Sequence, residues 1–139
     1  MPRRRHQSAG ERPWHPRPRG QARFELQPHR FTRLRDLFDE FLAAFDDTDV
    51  LYLVDVYPAG EDPIAEATSR RLYESLRARG HMNVRYLGDE ADPAATVALE
   101  SGSGDVIVTL GAGDVYKLGE RVLALLESTA ATVKSDERA

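Results

Sequence analysis

Residues 50–56 read VLYLVDV. The run does not alternate polar with apolar, so neither side is set aside for water. That is the pattern of a strand covered on both faces, which occurs in parallel sheets flanked by helices. Parallel neighbours need long crossovers, so amphipathic helices should lie on either side of this strand in the sequence. They do. Before it, Leu34, Leu37, Phe38, Phe41, Leu42 and Phe45 recur at spacings of three and four and predict one inward helical face, with Asp36, Asp39 and Glu40 off it. After it, ATSRRLYESLRARG (67–80) predicts a helix with Leu72, Tyr73 and Leu76 inward and Gly80 as its stop.

The alternation extends to both ends. Phe24–Gln27 is a short candidate strand, weakened by Glu25. VRYL (84–87) and DVIVTL (105–110) are two more. Asp92-Pro93 predicts an N-cap followed by Pro at the first helical position, with the helix running to about Glu100. A last helix, DVYKLGERVLALLES (114–128), is predicted with Asp114 as its N-cap. The order β-α-β-α-β-α-β-α means an α/β fold: a Rossmann-like, mostly parallel sheet with helices on both faces.

Composition bounds the function. The chain has 139 residues and a net charge of −4, unevenly placed. Residues 1–23 hold seven Arg and one Glu, and the rest carries a charge of −10. An acidic body is no general surface for nucleic acid. The arm has little apolar residue content and no period, so it is expected as a disordered Arg/Pro-rich extension. Nucleic acid or an acidic membrane is the functional reading of that arm; an idle extension, or translation from a false start or shifted frame, is the alternative. The domain is expected over 24–128, with 129–139 a disordered tail. No cysteine is present, which removes disulfides and thiolate chemistry and fits a cytoplasmic protein. No His/Asp/Glu set has metal-ligand spacing. No apolar run reaches membrane-spanning length.

Ligands of parallel sheets bind beyond the carboxyl ends of the strands, and three junctions fall there. In QPHRFTR (27–33), Pro28 ends a strand and His29, Arg30 and Arg33 follow at a helix start. Cations oppose the field of a helix N-terminus, so their placement points to an anion, a carboxylate or phosphate that Arg forks would grip. Pairing with Asp55 or Glu61 is the plainer reading. In DVYPAGEDP (55–63), Asp55 and Glu61 flank a turn; they suit a metal, a ribose or an amine, or are partners of the Arg cluster. In TLGAGDVYKLG (109–119), Gly111 and Gly113 lie between strand and helix, the context of a phosphate loop, yet Tyr116 occupies the third glycine position of G-x-G-x-x-G. A tight turn without ligand explains them equally.

QPHRFTRLRDLFDEF (27–41), DVYPAGEDPI (55–64) and VIVTLGAGDVYKLGE (106–120), in this order, resemble the C-terminal domain of the Mur ligases, and among them the branch that adds L-alanine. The resemblance covers roughly residues 24–127. It implies a part in joining L-alanine to UDP-N-acetylmuramate in cytoplasmic peptidoglycan synthesis, driven by ATP and Mg²⁺ through an acyl phosphate. It implies that His29, Arg30 and Arg33 hold the alanine carboxylate. Leu34 stands where the family usually has Thr, and Phe31 where Tyr is frequent. The family's Asp-Asp-Tyr-Gly-His-His-Pro element, P-loop domain and UDP-sugar domain have no counterpart, so the fold is expected to lack the family domain's first strand and helix. The chain is then a fragment, expected to be inactive alone and to bind no cofactor of its own, with neither nucleic acid nor membrane as partner. The alternative is a standalone Rossmann-like module that binds a carboxylate or nucleotide without catalysis.

Overall fold

The structure, a computed structural model, describes residues 20–137. Most of the extension expected over 1–23 lies outside the described residues. Nine elements follow in order: β1 (Ala22–Leu26), α1 (Phe31–Asp36), α2 (Phe38–Ala44), β2 (Val50–Leu53), α3 (Ser69–Ala78), β3 (Val84–Tyr86), α4 (Pro93–Glu100), β4 (Val106–Leu110) and α5 (Val115–Glu137). The four strands form one sheet in the order β3-β2-β1-β4, every neighbour parallel. The fold is α/β and Rossmann-like.

The all-apolar run becomes β2, buried at every residue. Its Leu51 and Leu53 join Leu26, Leu34, Phe45, Leu72, Leu76 and Val84 on the face covered by α1, α2 and α3. Val50 and Tyr52 join Leu87, Ala94, Val97 and Val122 on the face covered by α4 and α5. The chain steps from β1 to β2 to β3 and then back past β1 to β4. That reversal moves α4 to the opposite face, as right-handed crossovers require. It also makes the carboxyl ends of β1 and β4 the switch point of the sheet, where ligands of such folds bind.

Local signals hold at several ends. Thr68 caps α3 by accepting from the Arg71 amide at 3.1 Å. Gly80, at φ 99°, closes α3 in a Schellman arrangement: the His81 amide bonds the Leu76 carbonyl and the Gly80 amide that of Arg77. Asp92 caps α4 through the Ala95 amide.

Three expectations are corrected. The helix predicted across Leu34–Phe45 is two, broken at Leu37 (φ −111°, ψ 21°), which turns outward and is 41% exposed. The break re-aims the second helix so that Phe38, Phe41 and Phe45 still reach the core. Residues 129–137, expected as a tail, continue α5; after Gly119 this stretch meets no Gly or Pro to stop it. Arg23, assigned to the extension, lies buried within β1.

Arg23 is buried because a polar network receives it. Its Nε donates to Asp105 Oδ2 at 2.7 Å, one Nη to the Tyr52 hydroxyl at 2.8 Å and the other to the Glu100 carbonyl at 2.6 Å. Tyr52 donates onward to Glu100 Oε2 at 2.7 Å. Burial raises the Asp105 pKa, but the Arg23 bond and the amides of Gly102 and Gln21 outweigh it and hold the carboxyl below its ordinary range. Glu25, two residues on, lies on the same face of β1 and has no such partners. It is 0% exposed, and neither carboxylate oxygen has a hydrogen bond. Burial pushes this carboxyl up to about 7.

Candidate functional site

The three junctions meet beyond the carboxyl ends of β1, β2 and β4, and Tyr57 joins them. Past the end of the named strands the backbone still pairs. The Tyr57 amide donates to the Pro28 carbonyl at 2.9 Å, and the Arg30 amide to the Tyr57 carbonyl at 2.9 Å. The ring of Tyr57 stacks on His29, with centroids 5.6 Å apart and planes 10° from parallel. The same ring also meets the glycine loop. A Cβ on Gly113 would lie 2.5 Å from the Tyr57 ring and 2.7 Å from Gln27 Oε1; one on Gly111 would lie 2.9 Å from Val115 and 3.0 Å from the Gln27 carbonyl. These two glycines are required by packing, since anything larger displaces Tyr57 or Gln27. Gln27 also donates from Nε2 to Asp114 Oδ1 at 3.0 Å, while its buried Oε1 has no partner. The carboxylate of Asp114, predicted as a helix cap, is used to tie β1 to the start of α5.

Arg30 holds a strained backbone, with φ 70° and ψ 136°. For a non-glycine residue this costs on the order of 1–3 kcal/mol, and such strain concentrates at binding sites. Here it lets the chain pair with Tyr57 and then turn at once into α1, leaving the Arg30 side chain exposed. Arg33 is exposed one turn later. Among the described residues, no carboxylate lies within 4 Å of either guanidinium. Arg35, by contrast, is spent on Asp36 at 2.8 Å.

Glu61 explains how a cationic helix start is tolerated. The turn Pro58–Glu61 has Ala59 and Gly60 both at positive φ (50° and 85°) and closes with the Glu61 amide on the Pro58 carbonyl at 3.0 Å. It folds Glu61 back over α1. There Glu61 accepts from the Thr32 hydroxyl at 2.6 Å and the Thr32 amide at 3.2 Å. The Thr32 hydroxyl bond, then the amides of Thr32 and Phe31 and the charge of Arg30, hold its carboxyl below the ordinary range. Glu61 thus serves the N-terminus of α1 from outside the helix, in place of an acid in its first turn. Asp55 is elsewhere. It accepts a short hydrogen bond from the Tyr86 hydroxyl at the β3 side, and burial together with that bond pushes the Tyr86 phenol up to about 12.

Of the residues singled out by sequence, His29, Arg30, Arg33, Glu61, Gly111 and Gly113 share one edge, and Asp55 faces away from them. Gln27 and Tyr57 were not singled out, although both lie inside the quoted motifs. Only pairing and stacking make them central. A cleft of about 270 Å³ lies apart from this edge, between α3 and α4. Its two guanidinium groups are already engaged, Arg70 by Asp89 at 2.5 Å and Arg85 by Glu100 at 3.3 Å.

The arrangement can hold a small anion: two unpaired guanidinium groups and an imidazole stand at the switch point, with Glu61 already committed to Thr32. No three His, Asp or Glu side chains among the described residues converge as metal ligands. No helix among them is long and apolar enough to cross a membrane.

No family model matches the chain. Curated proteins do. The chain is 50% identical over 102 residues, 73% of its length, to the UDP-N-acetylmuramate–L-alanine ligase of Anaeromyxobacter dehalogenans. It is 44% identical over 121 residues, 86% of its length, to the ligase of that name in Geobacter sulfurreducens. It is 46% identical over 103 residues to that of Sorangium cellulosum. The chain spans only 22%, 25% and 22% of these three relatives.

Proposed function

We propose, from the premise that the chain belongs with the UDP-N-acetylmuramate–L-alanine ligases as a partial, C-terminal-type segment of them, that it supplies the amino-acid-holding edge of such a ligase. In this reading the complete enzyme joins L-alanine to the carboxyl of UDP-N-acetylmuramate in the cytoplasm, as a step of peptidoglycan precursor synthesis that serves cell shape and division. ATP, together with Mg²⁺ as cofactor, would drive the reaction of that complete enzyme. The Gly111–Gly113 loop, packed against Tyr57 and Gln27, is not their phosphate cradle. In this reading the chain alone is inactive as a ligase.

The observation that carries the reading is the pair Arg30 and Arg33, exposed and without carboxylate partners among the described residues, at the junction where Arg30 is held at φ 70°. Two such groups, with His29 fixed by its stack on Tyr57, suit the carboxylate of an amino acid.

The test is an NMR titration of the 139-residue chain with L-alanine, following the rings of His29 and Tyr57. Saturable shifts are expected. Arg30→Ala and Arg33→Ala should each weaken binding roughly tenfold or more, the loss of a charge-assisted hydrogen bond. Alaninamide, which lacks the carboxylate, should not compete. Equal binding of alaninamide, or no effect of either substitution, would refute the assignment. An alanine adduct formed by this chain alone with UDP-N-acetylmuramate and ATP would refute its inactivity. The alternative, a carboxylate- or nucleotide-binding module without catalysis, is favoured in its carboxylate form by the same unpaired arginines.

A further inference from the structure

An extra residue sets the place of Tyr57. The carbonyls of Leu26 and Pro28, two residues apart, accept from the amides of Val54 and Tyr57, three residues apart, both at 2.9 Å. In an even ladder Val56 would stand where Tyr57 does. The chain leaving β2 therefore bulges by one residue against the chain leaving β1, and a bulge re-aims the side chain that follows it.

So placed, Tyr57 meets both parts of the candidate site. Its carbonyl accepts from the Arg30 amide at 2.9 Å, and its ring lies on that of His29 with the planes 10° apart. The turn that carries Glu61 to Thr32 begins at the next residue, Pro58. The same ring abuts the glycine loop, where a Cβ on Gly113 would lie 2.5 Å from Tyr57 Cγ and Cδ2. Beside that loop, Gln27 ties the end of β1 to Asp114 at the head of α5, at 3.0 Å.

We infer that Tyr57 is a positioning residue for the carboxylate gripped by Arg30 and Arg33, and that through it the grip depends on where the Gly111–Gly113 loop stands. The inference rests on the amino-acid-holding reading of this edge. Exposed arginines lose side-chain freedom when they take up an anion, and affinity rises when the groups around them are fixed beforehand. Tyr57 fixes two of the three groups, His29 through its ring and Arg30 through its backbone. A loop that pushes the ring moves His29 directly and strains the backbone pair that holds Arg30. The contacts are made by ring carbons, so the hydroxyl is not needed.

The experiment is an NMR titration with L-alanine of the 139-residue chain and of Tyr57→Ala, Tyr57→Phe, Gly113→Ala and the double variant Tyr57→Ala with Gly113→Ala. Arg30→Ala serves as the reference for the site itself. Tyr57→Ala should weaken binding roughly five- to tenfold and remove the ring-current shift of the His29 ring protons; Tyr57→Phe should restore both. Gly113→Ala should weaken binding on its own, without any change at Tyr57. In the Tyr57→Ala background it should add less than about twofold, because the ring it displaces is gone. Binding by Tyr57→Ala equal to that of the parent, while Arg30→Ala weakens it, would overturn the inference and leave the amino-acid-holding reading intact. Tyr57→Phe as weak as Tyr57→Ala would overturn it too, since the hydroxyl would then touch the ligand itself. So would full additivity of Gly113→Ala with Tyr57→Ala. No saturable shift with L-alanine in the parent, or none of the expected loss in Arg30→Ala, would remove the reading and this inference with it.

Discussion

Replacing Glu25 by Gln removes a carboxyl that the sheet buries without a partner. It sits on β1 between Tyr52 of β2 and Thr109 of β4, on the face that α5 covers. The guanidinium of Arg23 is drawn away to Asp105, Tyr52 and the Glu100 carbonyl. Burial alone raises the Glu25 pKa from 4.5 to about 7. At 1.4 kcal/mol per pH unit, the difference corresponds to about 3 kcal/mol. The sign follows from proton binding. Between those two pH values the folded chain holds a proton that the unfolded chain releases. Stability is therefore full below about pH 4.5, falls as pH rises through 7, and is flat above. The amide introduced by Glu25→Gln cannot titrate. Urea unfolding of both proteins between about pH 4.5 and pH 8 should show similar stabilities at the acid end and a variant more stable by up to about 3 kcal/mol at the alkaline end. Asp105, Asp92 and Glu61, whose pKa values are lowered, lose their contributions only as pH falls through the acid range, and they do so in both proteins. Parallel curves, with a constant offset across the window, would refute a buried, unpartnered carboxyl at position 25.

Arg23→Met should destabilise the fold by about 3–5 kcal/mol in urea, because Asp105 and the Tyr52 hydroxyl are left buried without their cation; the further change Asp105→Leu should recover part of the loss. Gly113→Ala should lower the thermal midpoint through a cost of about 1–3 kcal/mol, and should shift the ring resonances of His29 as Tyr57 is pushed off its stack; an unchanged melt would show that the loop does not press on Tyr57.

Much of this was legible in the chain itself. The unalternating run at 50–56, the helical spacing around Leu72, and the helix ends at Gly80 and Asp92 are local signals. Neighbours in sequence set them, so they survive into the fold. The helix across Leu37 was misread because a periodic apolar pattern is equally served by two short helices at an angle. The end of α5 was misplaced because its last turns lie beyond the apolar stretch that marks a helix by period, while sequence without a breaker carries the helix on.

The candidate site divides in the same way. Its cations could be picked out by their chemistry, since His29, Arg30 and Arg33 sit where a helix terminus repels them. Whether they were free could not be read, because pairing is a matter of distance between segments far apart in sequence. Glu61 looked like their natural partner and is committed to Thr32; Asp55 looked equally suitable and is held by Tyr86. The glycines of the loop looked like a phosphate cradle, and their close neighbours are the ring of Tyr57 and the side chain of Gln27. By itself, the sequence determined the fold class, the elements and the chemical character of the candidate site, all of which depend on residue type and local spacing. Only the tertiary structure decided which charges are neutralised and which face Glu25 is trapped on, because those depend on how the crossovers bring distant segments together.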